Sequence, residues 1–301
     1  MKNLFYRIIY FPPVNFLLRN INKAFRRMVP DIKLPPSGTM RLRLNDRIKF
    51  RFHTNQSDFV GFCLFWTGVA AYEYVPLFGK IIVKCRSFVD IGANGGLYSI
   101  LAARLSEDIR VLAFDPTRAA SFYLNKNIRL NHLASKVTAY PFALSDQTGK
   151  TDFFEVKNKK YPFLKYNLGG SSSMVNYPAD YERLTVQAFS FDDFVNQYAL
   201  EELPIDFVKV DAEGAEPMII SGMSSTIRKY HPIVVCEILP DESGKRLEEI
   251  FKEQGYSFYT QEKEQLVPAK TLVDPDNKEV RNCFFVHPSR LSLIGEFIGH
   301  S

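Results

Sequence analysis

Acidic side chains stand at the ends of three short apolar runs in this 301-residue chain: Asp90, Asp115 and Asp211. Short apolar runs predict buried strands. In an open parallel sheet, ligands bind beyond the carboxyl ends of the strands. Carboxylates at such positions can accept hydrogen bonds from a ligand or remove a proton from it. We therefore predict a polar ligand site at one edge of a sheet.

A glycine-rich turn, residues 92–96, follows the first of these runs and leads into a helical pattern. Its small residues allow a ligand to approach the backbone closely, and the free N–H groups of a helix start face outward. The spacing is not the G-x-G-x-x-G of dinucleotide sites, and the sequence has no G-x-x-x-x-G-K-[ST] phosphate loop. Asp115 lies about 20 to 25 residues further on, where an acid can hold ribose hydroxyls; the alternative is a helix N-cap. Adenosine without phosphate fits, so we predict S-adenosyl-L-methionine, bound by Asp90, Gly92, Ala93, Asn94, Gly95 and Asp115.

Three carboxylates fall within six residues in the segment Asp211-Ala212-Glu213-Gly214-Ala215-Glu216. The segment directly follows a buried strand, which places it at the same edge of the sheet as the glycine turn. Asp211 is therefore expected at the cofactor as well. The alternative for Glu213 and Glu216 is that they stabilise the positive end of the following helix.

The elements around these residues alternate between strand and helix, which is typical of a doubly wound α/β sheet. Strands are predicted at 87–91, 110–114, 136–140, 207–210 and 233–238, with helices at 97–105 and 118–130. A helix is also expected from the Asp211 segment to about residue 229. A closing strand pair, 256–260 and 282–286, is separated by a polar loop. The Gly/Ser-rich loop 168–174 lies between extra strands and is predicted to cover the substrate, with Tyr161, Tyr166 and Tyr177 stacking on sugar rings.

The chain resembles the FkbM family of S-adenosylmethionine-dependent O-methyltransferases over about residues 70–290. The resemblance is carried by residues 88–99, Phe114-Asp115-Pro116, Asn127, Asn131, residues 143–146 with Gly149, residues 170–173 and residues 209–216. It implies a class I methyltransferase (Rossmann-like) fold with a mixed seven-stranded sheet. Residues 61–301 then form the methyltransferase domain, and residues 1–60, which match no family pattern, form an N-terminal extension.

The resemblance also implies roles for three residues near the cofactor. Pro116 and Ala143 belong to motifs beside it, and Glu73 stands where the family often has a glutamate near its amino-acid end. The alternative for Glu73 is an ordinary surface glutamate. The family usually has Glu-Pro where this chain has Asp115-Pro116, and the shorter acid can still reach a ribose.

Methyl transfer from a sulfonium requires an acceptor oxygen that is aligned with the methyl group and loses its proton. A sugar hydroxyl is a weak nucleophile, so a base or a metal is expected. The predicted catalytic residues are Asp211, Glu213 and Glu237. Asp211 and Glu237 together could hold a cation, but no histidine is placed to join them, and we predict no metal. His231 starts a strand, at the wrong end for the site, and is predicted to be structural.

The N-terminal residues 1–60 are basic and aromatic-rich, with a hairpin predicted around Asn45-Asp46. The net charge is +5, and in residues 1–51 the only acids are Asp31 and Asp46. Such a segment can contact an anionic membrane, or it can be a solvated extension. No apolar run is long enough to span a bilayer, and four scattered cysteines favour a reducing compartment. We expect a cytoplasmic protein, with peripheral membrane contact as a possibility.

The sequence thus predicts an O-methyltransferase that acts on a hydroxyl of a sugar, glycan or secondary-metabolite intermediate. The expected partner is a small molecule or glycan and not a nucleic acid. Two alternatives stay open: a nucleic-acid methyltransferase, suggested by the basic N-terminus, and a non-catalytic membrane-associated protein that binds the cofactor. The oligomeric state is left open.

Overall fold

The structure is a computed structural model that describes residues 2–168, 172–175, 180–239, 241–273 and 281–299. The strands are β1 Gly38–Arg43, β2 Lys49–Thr54, β3 Ser87–Ile91, β4 Arg110–Phe114, β5 Val137–Tyr140, β6 Ala143–Leu144, β7 Gly149–Val156, β8 Tyr181–Phe189, β9 Phe207–Val210, β10 Ile233–Ile238, β11 Ser257–Glu262, β12 Gln265–Ala269 and β13 Arg281–Val286. The α-helices are α1 Lys2–Ile9, α2 Pro12–Ala24, α3 Phe59–Trp66, α4 Val75–Ile82, α5 Leu97–Leu105, α6 Arg118–Leu130, α7 Phe191–Gln197, α8 Glu216–Ser221, α9 Ser224–Tyr230, α10 Glu242–Glu253 and α11 Leu291–Ile294.

The main sheet has the strand order β12-β11-β13-β10-β9-β3-β4-β5. Strands β10, β9, β3, β4 and β5 run parallel to one another, and β13 is antiparallel to β10 and β11. This order confirms the predicted doubly wound mixed sheet of the class I methyltransferase type. The expected strand number was wrong, because the part of the chain that the structure describes gives this sheet eight strands and not seven. The additional strand β12 lies in the segment predicted as a polar loop and pairs with β11.

The central elements begin and end where the sequence predicts. Strands β3, β4, β9 and β10 and helices α5 and α6 have the predicted bounds. The strands are buried on both faces, so their apolar runs stop where the chain reaches the surface. The helix predicted up to residue 229 is instead two helices, α8 and α9, broken at Gly222. That glycine packs tightly, since a Cβ there would lie 2.0 Å from the carbonyl oxygen of Ser145.

Aromatic side chains fill both faces of the main sheet. Phe78, Phe88 and Phe207 belong to the core on one face, whereas Phe114 and Phe285 belong to the core on the other. A second sheet, of order β6-β8-β7, extends the strand-end side of the domain. With both faces covered, the exposed carboxyl ends of the central strands are left as the place where a ligand can bind.

The predicted hairpin is present as β1 and β2, and two buried asparagines, one in α6 and one directly after it, hold its strand β2. The Asn127 side chain accepts from the His53 N–H (2.6 Å) and donates to the Gly95 carbonyl (2.9 Å). The Asn131 side chain accepts from the Arg51 N–H (2.8 Å) and donates to the Arg51 carbonyl (2.7 Å). The two side-chain amides form the hydrogen bonds that a neighbouring strand would otherwise form with this edge of β2. Asn127 also connects β2 to the glycine-rich turn. The domain boundary at residue 60 remains a prediction.

Helices α1 and α2 precede the hairpin. In the described part of the chain, no helix is both long and apolar enough to cross a bilayer. Residues 169–171 of the Gly/Ser-rich loop and Tyr177 lie outside the described residues.

Candidate active site

A cleft of about 270 Å³ opens at the carboxyl ends of the central strands. Nine of the predicted site residues line it: Glu73, Gly92, Asn94, Asp115, Pro116, Ala143, Asp211, Glu213 and Glu237. Three predicted cofactor contacts, Asp90, Ala93 and Gly95, are buried beneath the lining. The structure thus brings together residues that are far apart in sequence, and most of them lie at or just after the strand ends.

Gly92 lines the cleft, and its position requires a glycine because the end of β9 packs directly against it. Its φ is +70°, and a Cβ there would lie 1.8 Å from the carbonyl oxygen of Asp211. The N–H groups of Gly92 and Ala93 both donate to the Phe114 carbonyl at 3.0 Å. The turn is therefore fixed to the ends of β4 and β9 before any ligand binds.

Asp115 is held in one orientation at the mouth of the cleft. One of its oxygens accepts from the Asn94 N–H (3.0 Å), and the other accepts from the N–H (3.0 Å) and hydroxyl (2.7 Å) of Thr117. Burial raises the pKa of Asp115, and these hydrogen bonds oppose that shift. The N-cap of α6 is Thr117 and not Asp115, so the alternative assignment of Asp115 was wrong.

Lys209 lies under the cleft floor and was not assigned a role from the sequence. Its ammonium is 3.1 Å from a carboxylate oxygen of Asp211 and 3.8 Å from one of Asp90. It also donates to the carbonyl groups of Ile91 and Gly92, at 3.4 and 3.3 Å. Burial alone would lower the pKa of Lys209, but the Asp211 and Asp90 carboxylates raise it overall. In the sequence, the one sign of this role is a single lysine inside an otherwise apolar strand.

Asp90 is only 1% exposed. One oxygen accepts from the N–H (3.1 Å) and hydroxyl (2.6 Å) of Ser99, in the first turn of α5. The other faces the Lys209 ammonium. Burial raises the pKa of Asp90, and the lysine charge opposes the rise. Asp90 therefore positions α5 and Lys209 below the cleft, and its predicted contact with the cofactor is not seen in the cleft lining.

Three carboxylates crowd one end of the cleft. Ligand oxygens of Asp211, Glu213 and Glu237 lie within 4.8 Å of one another. Burial, followed by the Asp211 charge, raises the pKa of Glu213 to about 7 and that of Glu237 to about 8. The sequence predicted no metal here, yet oxygens this close could also hold a cation. The arrangement can either accept a proton near neutral pH or bind a positive charge.

Glu216 belongs to the same segment but does not line the cleft. It is 1% exposed, and its carboxylate accepts from the N–H groups of Ala212 (2.7 Å) and Gly214 (2.9 Å). The side chain therefore closes the loop that presents Asp211 and Glu213. Of the two roles that the sequence allowed for Glu216, in the site or at the start of the following helix, the structure supports the second.

Glu73 reaches the acidic end of the cleft from the chain before β3. Its φ of +39° is unusual for a residue other than glycine. The Tyr98 hydroxyl donates to its carboxylate at 2.9 Å, and the protein packed around that carboxylate raises its pKa. The Glu73 side chain also lines the cleft, so Glu73 is not an ordinary surface glutamate.

Apolar walls of the cleft were missed by the sequence analysis. They include Tyr72, Phe142, Phe153, Leu168 and Met174. Nothing in their local sequence marks them, because they reach the cleft from separate loops and strands. In the described part of the Gly/Ser-rich loop, Ser172 and Met174 line the cleft, and the Ser173 hydroxyl donates to the Glu213 carbonyl at 2.9 Å. This part of the loop lines the site, and a role for the loop in covering a substrate stays a prediction.

The expected tyrosine stacking on sugar rings is not supported for the two tyrosines that are described. Tyr161 is buried against Tyr10, with ring centroids 5.3 Å apart. Tyr166 stacks on Phe122 at 4.9 Å. Neither lines the cleft. His231 is at the end of α9 and stacks on His287, which fits its predicted structural role.

The chain is also similar in sequence to known methyltransferases. A model of the methyltransferase FkbM domain matches residues 90–258. The chain is 27% identical to the methyltransferase sdnD of Sordaria araneosa over 56% of this chain and 72% of that protein. It is 25% identical to the 2-O-methyltransferase NoeI of Sinorhizobium fredii over 47% of this chain and 58% of that protein.

Two solved structures show a more distant likeness. One is a methyltransferase FkbM from Methylobacillus flagellatus, with 15% identity, a TM-score of 0.44 and coverage of 66% of this chain and 43% of that one. The other is an O-methyltransferase from Bacillus cereus in complex with SAH, with 14% identity, a TM-score of 0.39 and coverage of 70% of this chain and 78% of that one.

The raised pKa of Glu237 predicts a specific dependence of stability on pH. A carboxyl group whose pKa is about 8 in the folded state and about 4.5 when unfolded binds more protons when folded, so its contribution to stability falls as pH rises from about 5 through 8. Glu237→Gln cannot ionise. We expect it to match the wild type at pH 5 and to exceed its free energy of unfolding at pH 9 by at least about 1 kcal/mol. Urea denaturation at both pH values measures this.

Glu253→Gln, at an exposed position at the end of α10, is the matched control and should leave the difference between pH 5 and pH 9 unchanged. Parallel stability curves for wild type and Glu237→Gln would contradict the prediction.

Proposed function

The chain belongs to the FkbM family of methyltransferases, and from that premise we propose that it is an S-adenosyl-L-methionine-dependent O-methyltransferase. The methyl acceptor in this proposal is a hydroxyl of a sugar, glycan or secondary-metabolite intermediate. The oxygen acceptor is supported by NoeI, whose name describes a 2-O-methyltransferase. The observation that carries the proposal is the distribution of charge along the cleft.

The two ends of the cleft match the two ends of the cofactor. Asp115 is oriented at one end, where a carboxylate can accept hydrogen bonds from two ribose hydroxyls. Asp211 and Glu213 follow β9 and Glu237 lies near the end of β10, on the other side of β3 from Asp115 and β4, and Glu73 also lines the cleft. S-adenosyl-L-methionine carries a sulfonium and an ammonium, and both positive charges are favoured near these carboxylates. The apolar walls between the two ends exclude water from the bound ligand.

The transfer itself is an in-line displacement at the methyl carbon. The bond between the acceptor oxygen and the methyl carbon forms as the bond from that carbon to sulfur breaks, and S-adenosylhomocysteine leaves. The hydroxyl proton must go to a base. Glu213 and Glu237 have pKa values near neutral, of about 7 and 8, which is the range in which a general base is most effective. We assign proton removal to this pair and the orientation of the donor to Asp211.

Calorimetry with S-adenosyl-L-methionine tests the cofactor assignment. The wild-type protein should bind it, and Asp115→Asn should weaken binding by about ten- to a hundredfold, because hydrogen bonds to a charged group contribute about 1.5 to 3 kcal/mol each. Asp146→Asn, at an exposed position after β6, is the control and should bind like the wild type. No measurable binding to the folded wild-type protein would contradict the assignment.

The rate of methyl transfer tests the base. With labelled S-adenosyl-L-methionine and a glycan-containing extract, transfer should rise with pH up to about 8, as the pKa of Glu237 requires. Glu237→Gln should lower kcat by about a hundredfold or more without changing the affinity for the donor to the same extent. A chelator should leave the rate unchanged. Loss of activity with chelator and recovery with Mg²⁺ would show that the carboxylates hold a cation instead.

A further inference from the structure

Helix α2 buries two polar side chains and exposes most of its apolar ones. Asn15 and Arg19 are buried, at 0% and 2% exposure, whereas Phe16 and Leu17 are 59% and 60% exposed. An ordinary surface helix has the opposite arrangement, because burying its apolar face stabilises the fold. The outward face of α2 therefore has no partner among the described residues of this chain.

The inward polar face fixes the helix firmly. The Asn15 side chain donates to the Pro35 carbonyl (3.1 Å) and accepts from the Ser37 N–H (2.7 Å). The Arg19 guanidinium donates to the carbonyl groups of Ser37 (2.9 Å) and Thr39 (3.2 Å). Because these buried hydrogen bonds join α2 to the strand β1, the apolar face is held outward by specific contacts and not by a loose attachment.

Exposed apolar side chains concentrate in this part of the molecule. Of the nineteen exposed large apolar side chains in the described residues, twelve lie within residues 4–32. Besides those of α2, they include Leu4 and Phe5 on α1 and Phe25 after α2. A cluster of this kind on a water-soluble surface marks an interaction site.

The surroundings of this apolar face are strongly basic. Arg7, Lys23, Arg26 and Arg27 lie within or beside the two helices. An adjoining cavity of about 820 Å³ is lined by Asn20 and Lys23 of α2 together with Arg41, Arg43, Lys49, Arg51 and Arg104. None of the described residues that line it is acidic, although Arg43 pairs with the exposed Asp46 at 3.6 Å. A second cavity shares Phe16 and Asn20 with Arg41 and Arg51. Apolar and basic side chains therefore meet on one continuous surface.

We propose that this surface, formed by α1, α2 and the adjoining basic cavity, docks the protein on an anionic lipid bilayer. The apolar side chains enter the boundary between headgroups and acyl chains, as those of interfacial helices do. The arginine and lysine side chains contact lipid phosphates, for which their charge is complementary. The helices lie on the membrane and do not cross it, in agreement with their length and composition. This inference is independent of the proposed reaction.

Vesicle flotation with the full-length protein tests the proposal. The protein should bind vesicles of phosphatidylcholine with one third phosphatidylglycerol and should bind pure phosphatidylcholine much more weakly. Substitution of the outward face by Phe16→Ser, Leu17→Ser and Ile21→Ser together should weaken binding at least about tenfold, since apolar burial is lost. Arg26→Gln with Arg27→Gln should weaken it about fivefold for each charge removed.

Val83→Ser is the matched control, because Val83 is 50% exposed and lies after α4, away from α2. It should bind vesicles like the wild type, and all variants should keep the wild-type urea midpoint, because the substituted side chains are exposed.

Three outcomes would overturn the proposal. One is equal binding of the wild type and the triple variant to the anionic vesicles, or no binding by either. Another is a wild-type dimer in light scattering that the triple variant converts to monomers, since a second copy would then cover the apolar face. The third is salt-sensitive binding of RNA that excludes vesicles, since a nucleic acid would then occupy the basic cavity.

Discussion

The buried ammonium of Lys209 is the interaction on which the cleft depends. It lies 3.1 Å from Asp211 and 3.8 Å from Asp90, and it donates to the last carbonyl groups of the neighbouring strand β3. A carboxylate as buried as Asp90 is costly unless an opposite charge compensates it. The lysine therefore allows two acidic strand ends to lie side by side, and it ties β9 to the turn that leads into α5.

Other carboxylates join Asp211 in the cleft. Glu213 and Glu237 line it, and burial together with the Asp211 charge raises the pKa of Glu213 to about 7 and that of Glu237 to about 8. A cationic ligand bound beside these groups would favour their ionised forms. The same carboxylates can therefore compensate the positive charge of a sulfonium donor and accept the proton that the acceptor hydroxyl must lose.

The sequence predicted the edge of the sheet at which the site lies, because short apolar strands end where polar residues begin. It could not predict which acids reach the cleft. Asp90 and Glu216 belong to the predicted site motifs, as Asp115 and Asp211 do, but their carboxylates turn inward to bind helix and loop N–H groups. That difference depends on packing, which local pattern does not encode. The sequence did not predict the inverted orientation of α2 for a similar reason. An amphipathic pattern marks two faces of a helix, and the buried contacts of Arg19 decide which face points inward.

A double-mutant cycle on Lys209 and Asp90 tests this account most directly. By urea denaturation at pH 8, Lys209→Met should lower the free energy of unfolding by about 3 kcal/mol or more, because it leaves a buried carboxylate without a counter-charge. Asp90→Asn keeps the shape of the side chain and removes the charge, so the double variant Lys209→Met with Asp90→Asn should recover part of that loss. Strictly additive effects, or an unchanged unfolding midpoint for Lys209→Met, would contradict the central role of the buried lysine.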